Sequence, residues 1–150
     1  MKFPYRPLVT SAPDGIDFLL VARPEIPFRI VGPSGQFTYI GLVDTGSDHT
    51  ILPASIARDL GIELQLAAGP SASVFSGALV QLDAGTVTLS IESDGQSITW
   101  STDVCFFEFN SPDEETIVLG HAGFLDFFTA IFDGKLAELE LIANDEMPAA

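Results

Sequence analysis

The sequence predicts an all-β fold with two short helices, and three observations predict it. Short apolar runs rich in Val, Ile, Thr, Phe and Tyr are separated by Gly, Pro, Asp or Ser. Several runs alternate apolar and polar residues, the period of a strand with one buried face. Two Asp-Gly pairs, Asp94-Gly95 and Asp133-Gly134, fall between such runs as hairpin turns. With 150 residues the chain is long enough for one core and short for two. No repeat and no interdomain linker divides it, so residues 1–150 read as a single domain.

Taken in order, Phe3 to Thr10 reads as the first strand, followed by the turn Pro13-Asp14-Gly15. Ile16 to Ala22 and Ile26 to Val31 read as two more. Gly32-Pro33-Ser34-Gly35 is a turn, and Gln36 to Val43 is a strand running straight into Asp44. After Pro53 the period changes. Ile56 and Leu60 stand four apart, Pro53 suits a helix start and Gly61 suits its end. Ile62 to Leu66 reads as a short strand. Ala67 to Gly77 is rich in small residues without a helical period, which suits a loop or a hairpin tip. Val87, Leu89 and Ile91 then alternate with Thr86, Thr88 and Ser90, and the return strand carries Ile98, Trp100, Thr102 and Val104. Thr116 to Leu119 is a short apolar strand ending at Gly120. Gly123 to Phe128 is the second helix candidate. Thr129 to Asp133 and Lys135 to Ile142 form a last hairpin, and the polar end from Asn144 reads as frayed. Trp100 reads as core, and the phenylalanines from Phe124 to Phe132 read as core or interface.

Charge and composition exclude several functions. Twenty-one acidic and six basic residues leave a net charge of −15, a poor surface for nucleic acid, because phosphate contacts need Lys and Arg. No run of about 18 apolar residues exists, so no membrane span is expected. The start, Met1-Lys2-Phe3-Pro4-Tyr5-Arg6-Pro7, carries two prolines and two basic residues where an export signal needs an apolar run. The lone Cys105 permits no internal disulfide, and among Val104, Phe106 and Phe107 it reads as a buried, inert thiol. These features together point to a cytoplasmic protein.

The stretch from Leu42 to Pro53, Leu-Val-Asp-Thr-Gly-Ser-Asp-His-Thr-Ile-Leu-Pro, carries the chemistry. An apolar strand delivers Asp44 into a tight turn, and a second apolar run leaves it. A carboxylate at the end of a buried strand is costly unless donors surround it. Gly46 lets backbone approach closely, so that its N–H can point back at Asp44. Thr45 and Ser47 add hydroxyls for local hydrogen bonds.

This stretch resembles the Asp-Thr-Gly-Ser signature of aspartic peptidases. Ile117-Val118-Leu119-Gly120 resembles the second element of that family, and the spacing is similar to that of the single-domain, retropepsin-like branch. The resemblance covers roughly residues 36–142. It implies a closed, barrel-like β fold with a ψ-shaped loop around the Asp-Thr-Gly turn. Asp44 would be the catalytic acid. Thr45 would brace two such turns across a dimer axis. Gly46 would donate its N–H near the carboxylate, and Ser47 would bond the outer oxygen of Asp44. Ala67 to Gly77 would lie where the family places its flap, with Gly69, Ser73 and Phe75 as substrate contacts. Many relatives carry Arg after the second glycine, paired with an acid near the active turn. Here those places are His121 and Asp48, which would make a pH-sensitive pair, with Arg6 as another partner for Asp48. The stretch before Asp44 is longer than in the viral enzymes by roughly one hairpin.

Only one Asp-Thr-Gly is present, and Asp133-Gly134 lacks the Thr. Two carboxylates about 3 Å apart share one proton and so work as acid and base together. The implied enzyme is therefore a homodimer hydrolysing peptide bonds, with no cofactor and no metal. His49 beside Asp48 and Asp44 offers a weaker metal reading, since three close neighbours on one strand end seldom converge. The alternative function is a non-catalytic peptide-binding or dimerisation module on the same fold.

Overall fold

The computed structural model describes residues 1–66, 74–75 and 78–150. In chain order the strands are β1 (Lys2–Pro4), β2 (Arg6–Ser11), β3 (Phe18–Arg23), β4 (Glu25–Gly32), β5 (Gly35–Val43) and β6 (Ile51–Pro53). The helix α1 (Ala54–Leu60) follows. Then come β7 (Val74–Phe75), β8 (Ala78–Leu79), β9 (Asp83–Ser93), β10 (Gln96–Phe107), β11 (Val118–Leu119), β12 (Phe128–Asp133) and β13 (Glu138–Ala143). The fold is mostly β with one short α-helix. The second expected helix is a single 3-10 turn, Leu125–Phe127, and another such turn lies at Pro112–Glu114. No helix among the described residues is long and apolar enough to cross a membrane.

Six strands hydrogen-bond in a closed ring, in the order β10, β6, β11, β5, β4, β9 and back to β10. The alternation read along β9 puts Val87, Leu89 and Ile91 inside, each at most 2% exposed. Ile26, Phe28 and Ile30 of β4, the strand hydrogen-bonded beside β9, enter the same core, with Ile30 directly opposite Leu89. Asp94 and Gly95 both take positive φ, 52° and 74°, which is what a tight two-residue hairpin between twisted strands requires.

Helix α1 ends as its sequence suggests. Gly61 is left-handed at φ 67°, and the N–H groups of Gly61 and Ile62 return to the carbonyls of Arg58 and Ala57. Ile56, Ala57 and Leu60 are buried and pin the helix, with the strand before it, to the core.

Trp100 is fully buried beneath Phe124 and Phe128, with ring centroids 5.8 and 5.5 Å away. Its indole N–H donates to the Gly123 carbonyl at 3.2 Å, so its polar tip is satisfied inside the core. This cluster clamps the segment that follows Gly120.

Four boundaries differ from the sequence reading. The first strand divides at Tyr5: β1 pairs with β13, while β2 turns away and, among the described residues, pairs only with β3. Prolines at positions 4 and 7 lack the N–H that one continuous ladder needs. Ile62 to Leu66 contributes one bridge, Gln65 to Ala84, rather than a strand. The last hairpin does not turn at Asp133-Gly134 alone. The Asp133 carboxylate accepts the N–H groups of Lys135 and Leu136, and pairing resumes only at Glu138. The end expected to fray is held: Met147 packs against the core, and the Ala149 carbonyl accepts the Ser101 N–H at 3.1 Å.

Candidate active site

The Asp44 turn sits at one end of the ring, where the chain passes from β5 to β6. Strand β11 lies between these two. Val118 and Leu119 run parallel beside Leu42 and Val43, and Val118 runs antiparallel to Ile51. β5, the turn and β6 thus form a loop with β11 threaded through its centre. The Asp44 N–H donates to the Leu119 carbonyl at 3.0 Å, which extends the parallel ladder by one residue into the turn.

The turn holds its acid from within. Gly46 donates its N–H to Asp44 Oδ1 at 2.8 Å, and the Ser47 N–H reaches the Asp44 carbonyl at 3.2 Å. Asp44 is half-buried, whereas Thr45, Gly46, Asp48 and His49 are exposed. The carboxylate is therefore held in position yet reachable from outside.

A second set of bonds ties the turn to the segment after β11. His121 N–H donates to the Ser47 carbonyl at 3.0 Å and Ala122 N–H to the Asp48 carbonyl at 2.9 Å. Thr50 makes three further links. Its N–H donates to Ala122 at 2.9 Å, its carbonyl accepts from Cys105 at 3.0 Å, and its Oγ1 accepts the Gly120 N–H at 3.2 Å. Thr50 is completely buried. Cys105, expected to be buried, is half-buried, its side chain on the outer side of β10 from Val104 and Phe106, and that partial burial raises its thiol above its ordinary range.

Thr50 was not singled out from the sequence. It looks like another turn residue after Ser47-Asp48-His49. The available signal was its place directly before the apolar run Ile51-Leu52-Pro53, where a hydroxyl enters the interior. Thr50→Val keeps the shape but leaves the Gly120 N–H buried without a partner. The expected loss is about 1–3 kcal/mol of unfolding free energy, read from urea denaturation. An unchanged midpoint would show that this bond does not anchor the turn.

Two expected contacts are replaced by others. The Ser47 hydroxyl donates to the His49 carbonyl at 2.7 Å rather than to Asp44. The side chain of His121 does not take Asp48 as its partner. Nε2 lies 3.0 Å from the Thr45 carbonyl, so Nε2 carries the proton that bonds there, and Nδ1 faces Asp126 Oδ1 at 3.8 Å. His121 thus ties Thr45 to the 3-10 turn after Gly120, which brings the residue into the site by another route. Arg6 forms no ion pair with Asp48 among the described residues. Of the flap candidates, Gly69 and Ser73 lie outside the described residues. The backbone of Phe75 belongs to β7, which pairs with β8 in a small hairpin, Val74 to Leu79 and Phe75 to Ala78.

Arg6, Arg23, Glu25, Leu42, Thr116 and Ile117 line an open, mostly polar cleft of about 340 Å³, whose lining includes neither Asp44 nor another residue of its turn. No group of three or more His, Cys, Asp or Glu residues suited to hold a metal ion occurs among the described residues.

No protein-family model matches the chain, and no curated protein matches it at a significant level.

Proposed function

We propose that this chain is one half of a retropepsin-like aspartic endopeptidase, completed by a second identical chain. The observation that carries the reading is the Asp44 turn itself. A half-buried carboxylate sits at a strand end, held by the Gly46 N–H, in a loop through which β11 passes. That placement suits an acid used for chemistry, because its position is fixed while one side stays open.

In the proposed reaction two Asp44 carboxyl groups, one from each chain, share a proton. The ionised one takes a proton from a water held between them. As that water attacks the scissile carbonyl carbon, the protonated one donates to the carbonyl oxygen. As the tetrahedral diol collapses and the C–N bond breaks, the Asp44 that took the water's proton passes it to the leaving nitrogen, and the other Asp44 recovers a proton from a diol hydroxyl, which restores the shared-proton pair. Each turn contributes one acid, so a twofold axis supplies the pair. Thr45, exposed at the tip of the turn, would meet its mate across that axis. The proposed setting is the cytoplasm, where a lone thiol stays reduced.

The test is cleavage of a mixed peptide library between about pH 3 and 8, with and without a hydroxyl-bearing transition-state analogue. The expected result is an acid-shifted optimum and strong inhibition by the analogue, because such compounds bind far more tightly than substrate. Binding of peptides without cleavage at any pH would favour a peptide-binding module on the same fold.

A further inference from the structure

Thr45 and Gly46 are joined by one peptide group, and both of its polar ends are engaged. The Thr45 carbonyl accepts the His121 Nε2 proton at 3.0 Å, and the Gly46 N–H donates to Asp44 Oδ1 at 2.8 Å. In a planar trans peptide the C=O and the N–H point in opposite directions. The imidazole and the carboxylate therefore hold one rigid unit from its two sides. Rotation of that unit strains both bonds together.

The imidazole is itself anchored. The His121 backbone N–H donates to the Ser47 carbonyl at 3.0 Å, and the His121 carbonyl accepts from Phe124 at 3.2 Å and from Asp126 at 3.0 Å. The ring thus stands between the Asp44 turn and the 3-10 turn, with Nδ1 3.8 Å from Asp126 Oδ1. Asp126 is held in turn, because its carbonyl accepts from the Asn144 side chain at 2.9 Å. A line of contacts runs from Asp126 through the ring and the peptide to the Asp44 carboxylate. Hydrogen bonds in series polarise one another. A proton gained at Nδ1 makes the ring a cation, which draws electron density from the Thr45 carbonyl and makes the Gly46 N–H a stronger donor to Asp44. Of the titratable groups on the segments bonded to this line, Asp44, Asp48 and His49 lie in the turn, and Asp145 and Glu146 follow Asn144. Among the described residues Asp126 is the acid within ion-pair distance of the ring.

We infer that His121 is a positioning residue for Asp44, acting through the Thr45–Gly46 peptide and passing a change of charge at the ring to the carboxylate. Its effect on turnover rests on the peptidase reading above. The link from ring to carboxylate does not.

Two measurements test it. The first follows the Gly46 amide proton by NMR between about pH 5 and 8, where an ordinary imidazole changes charge, in wild type, His121→Gln and His49→Gln. A stronger hydrogen bond moves an amide proton downfield. As pH falls, the Gly46 proton is expected to move downfield with the midpoint of the His121 ring, in wild type and in His49→Gln. It is expected to stay flat in His121→Gln, since glutamine keeps an N–H donor for Thr45 but takes up no proton. The second measurement is peptide turnover. His121→Ala is expected to lower kcat at least about tenfold with KM within about twofold, because a displaced carboxylate impairs the chemical step more than binding. His121→Gln is expected to recover most of that loss. A Gly46 proton that ignores the His121 titration, or that still moves over this range in His121→Gln, overturns the link. So does a wild-type kcat in His121→Ala. The expected NMR shift in a wild type that cleaves no peptide supports the link and sinks the peptidase reading.

Discussion

Replacing Asp44 by Asn is expected to lower peptide cleavage at least about 100-fold while leaving fold and dimer in place, because a positioned acid or base contributes about that much or more. In the proposed dimer both chains then carry Asn, so no carboxyl would remain to take the proton from water or to protonate the carbonyl. The local structure has little reason to change. Asn keeps an oxygen that can accept the Gly46 N–H now bonded to Asp44 Oδ1 at 2.8 Å. The Asp44 N–H still reaches Leu119 at 3.0 Å. Stability should move by no more than about 0.5 kcal/mol, as at most half-exposed positions without a cavity or a lost partner. Turnover of a fluorogenic peptide, read with the melting temperature and the sedimentation coefficient, separates these effects. Cleavage by the variant at the wild-type rate would remove Asp44 from the chemistry.

The second large effect is expected at Gly120, through packing rather than chemistry. A Cβ built there meets the His49 carbonyl oxygen head-on and lies 2.7 Å from both the His49 carbonyl carbon and the Ser47 oxygen. All three are backbone atoms of the Asp44 turn, which cannot swing aside as a side chain can. Gly120→Ala must therefore push the turn off β11 or break the links from His121 and Ala122. A loss of about 3 kcal/mol of stability is expected, at the upper end of overpacking costs. Whatever protein still folds should have lost activity as well. Urea unfolding and peptide turnover measure the two consequences. A variant as stable and active as wild type would mean that β11 does not press on the turn.

Much of this arrangement was legible where local chemistry decides. Asp94-Gly95 names its own turn, because both residues tolerate positive φ and the alternating strands on either side need one. Gly61 ends α1 for the same local reason. Asp44 at the mouth of an apolar strand, with Gly46 two residues on, announced a carboxylate bonded to a backbone N–H. The partners of His121 were not legible. Asp48 is the nearer acid by analogy, yet the imidazole lies between the Thr45 carbonyl of the Asp44 turn and Asp126, which the 3-10 turn at Leu125–Phe127 brings to it. That turn is set by Phe124 and Phe128 packing on Trp100, which is a tertiary fact. The Asp133 turn was misread because a carboxylate that accepts two successive N–H groups outlasts the two-residue hairpin its Asp-Gly suggests. The β2–β3 hairpin misleads differently. Leu8, Val9, Phe18, Leu19 and Leu20 have the composition of a core strand, and only the structure shows their exposure.

Threading β11 between β5 and β6 has a consequence for biosynthesis. The carboxylate and the strand that braces its turn are separated by some seventy residues, and contacts that distant form late because a long loop must close first. While a ribosome is still making the last quarter of the chain, Asp44 has neither Leu119 beneath it nor Gly120 against it. Under the proposed function, a nascent chain would hold an unbraced, idle Asp44 turn until β11 has emerged to pair with β5 and β6.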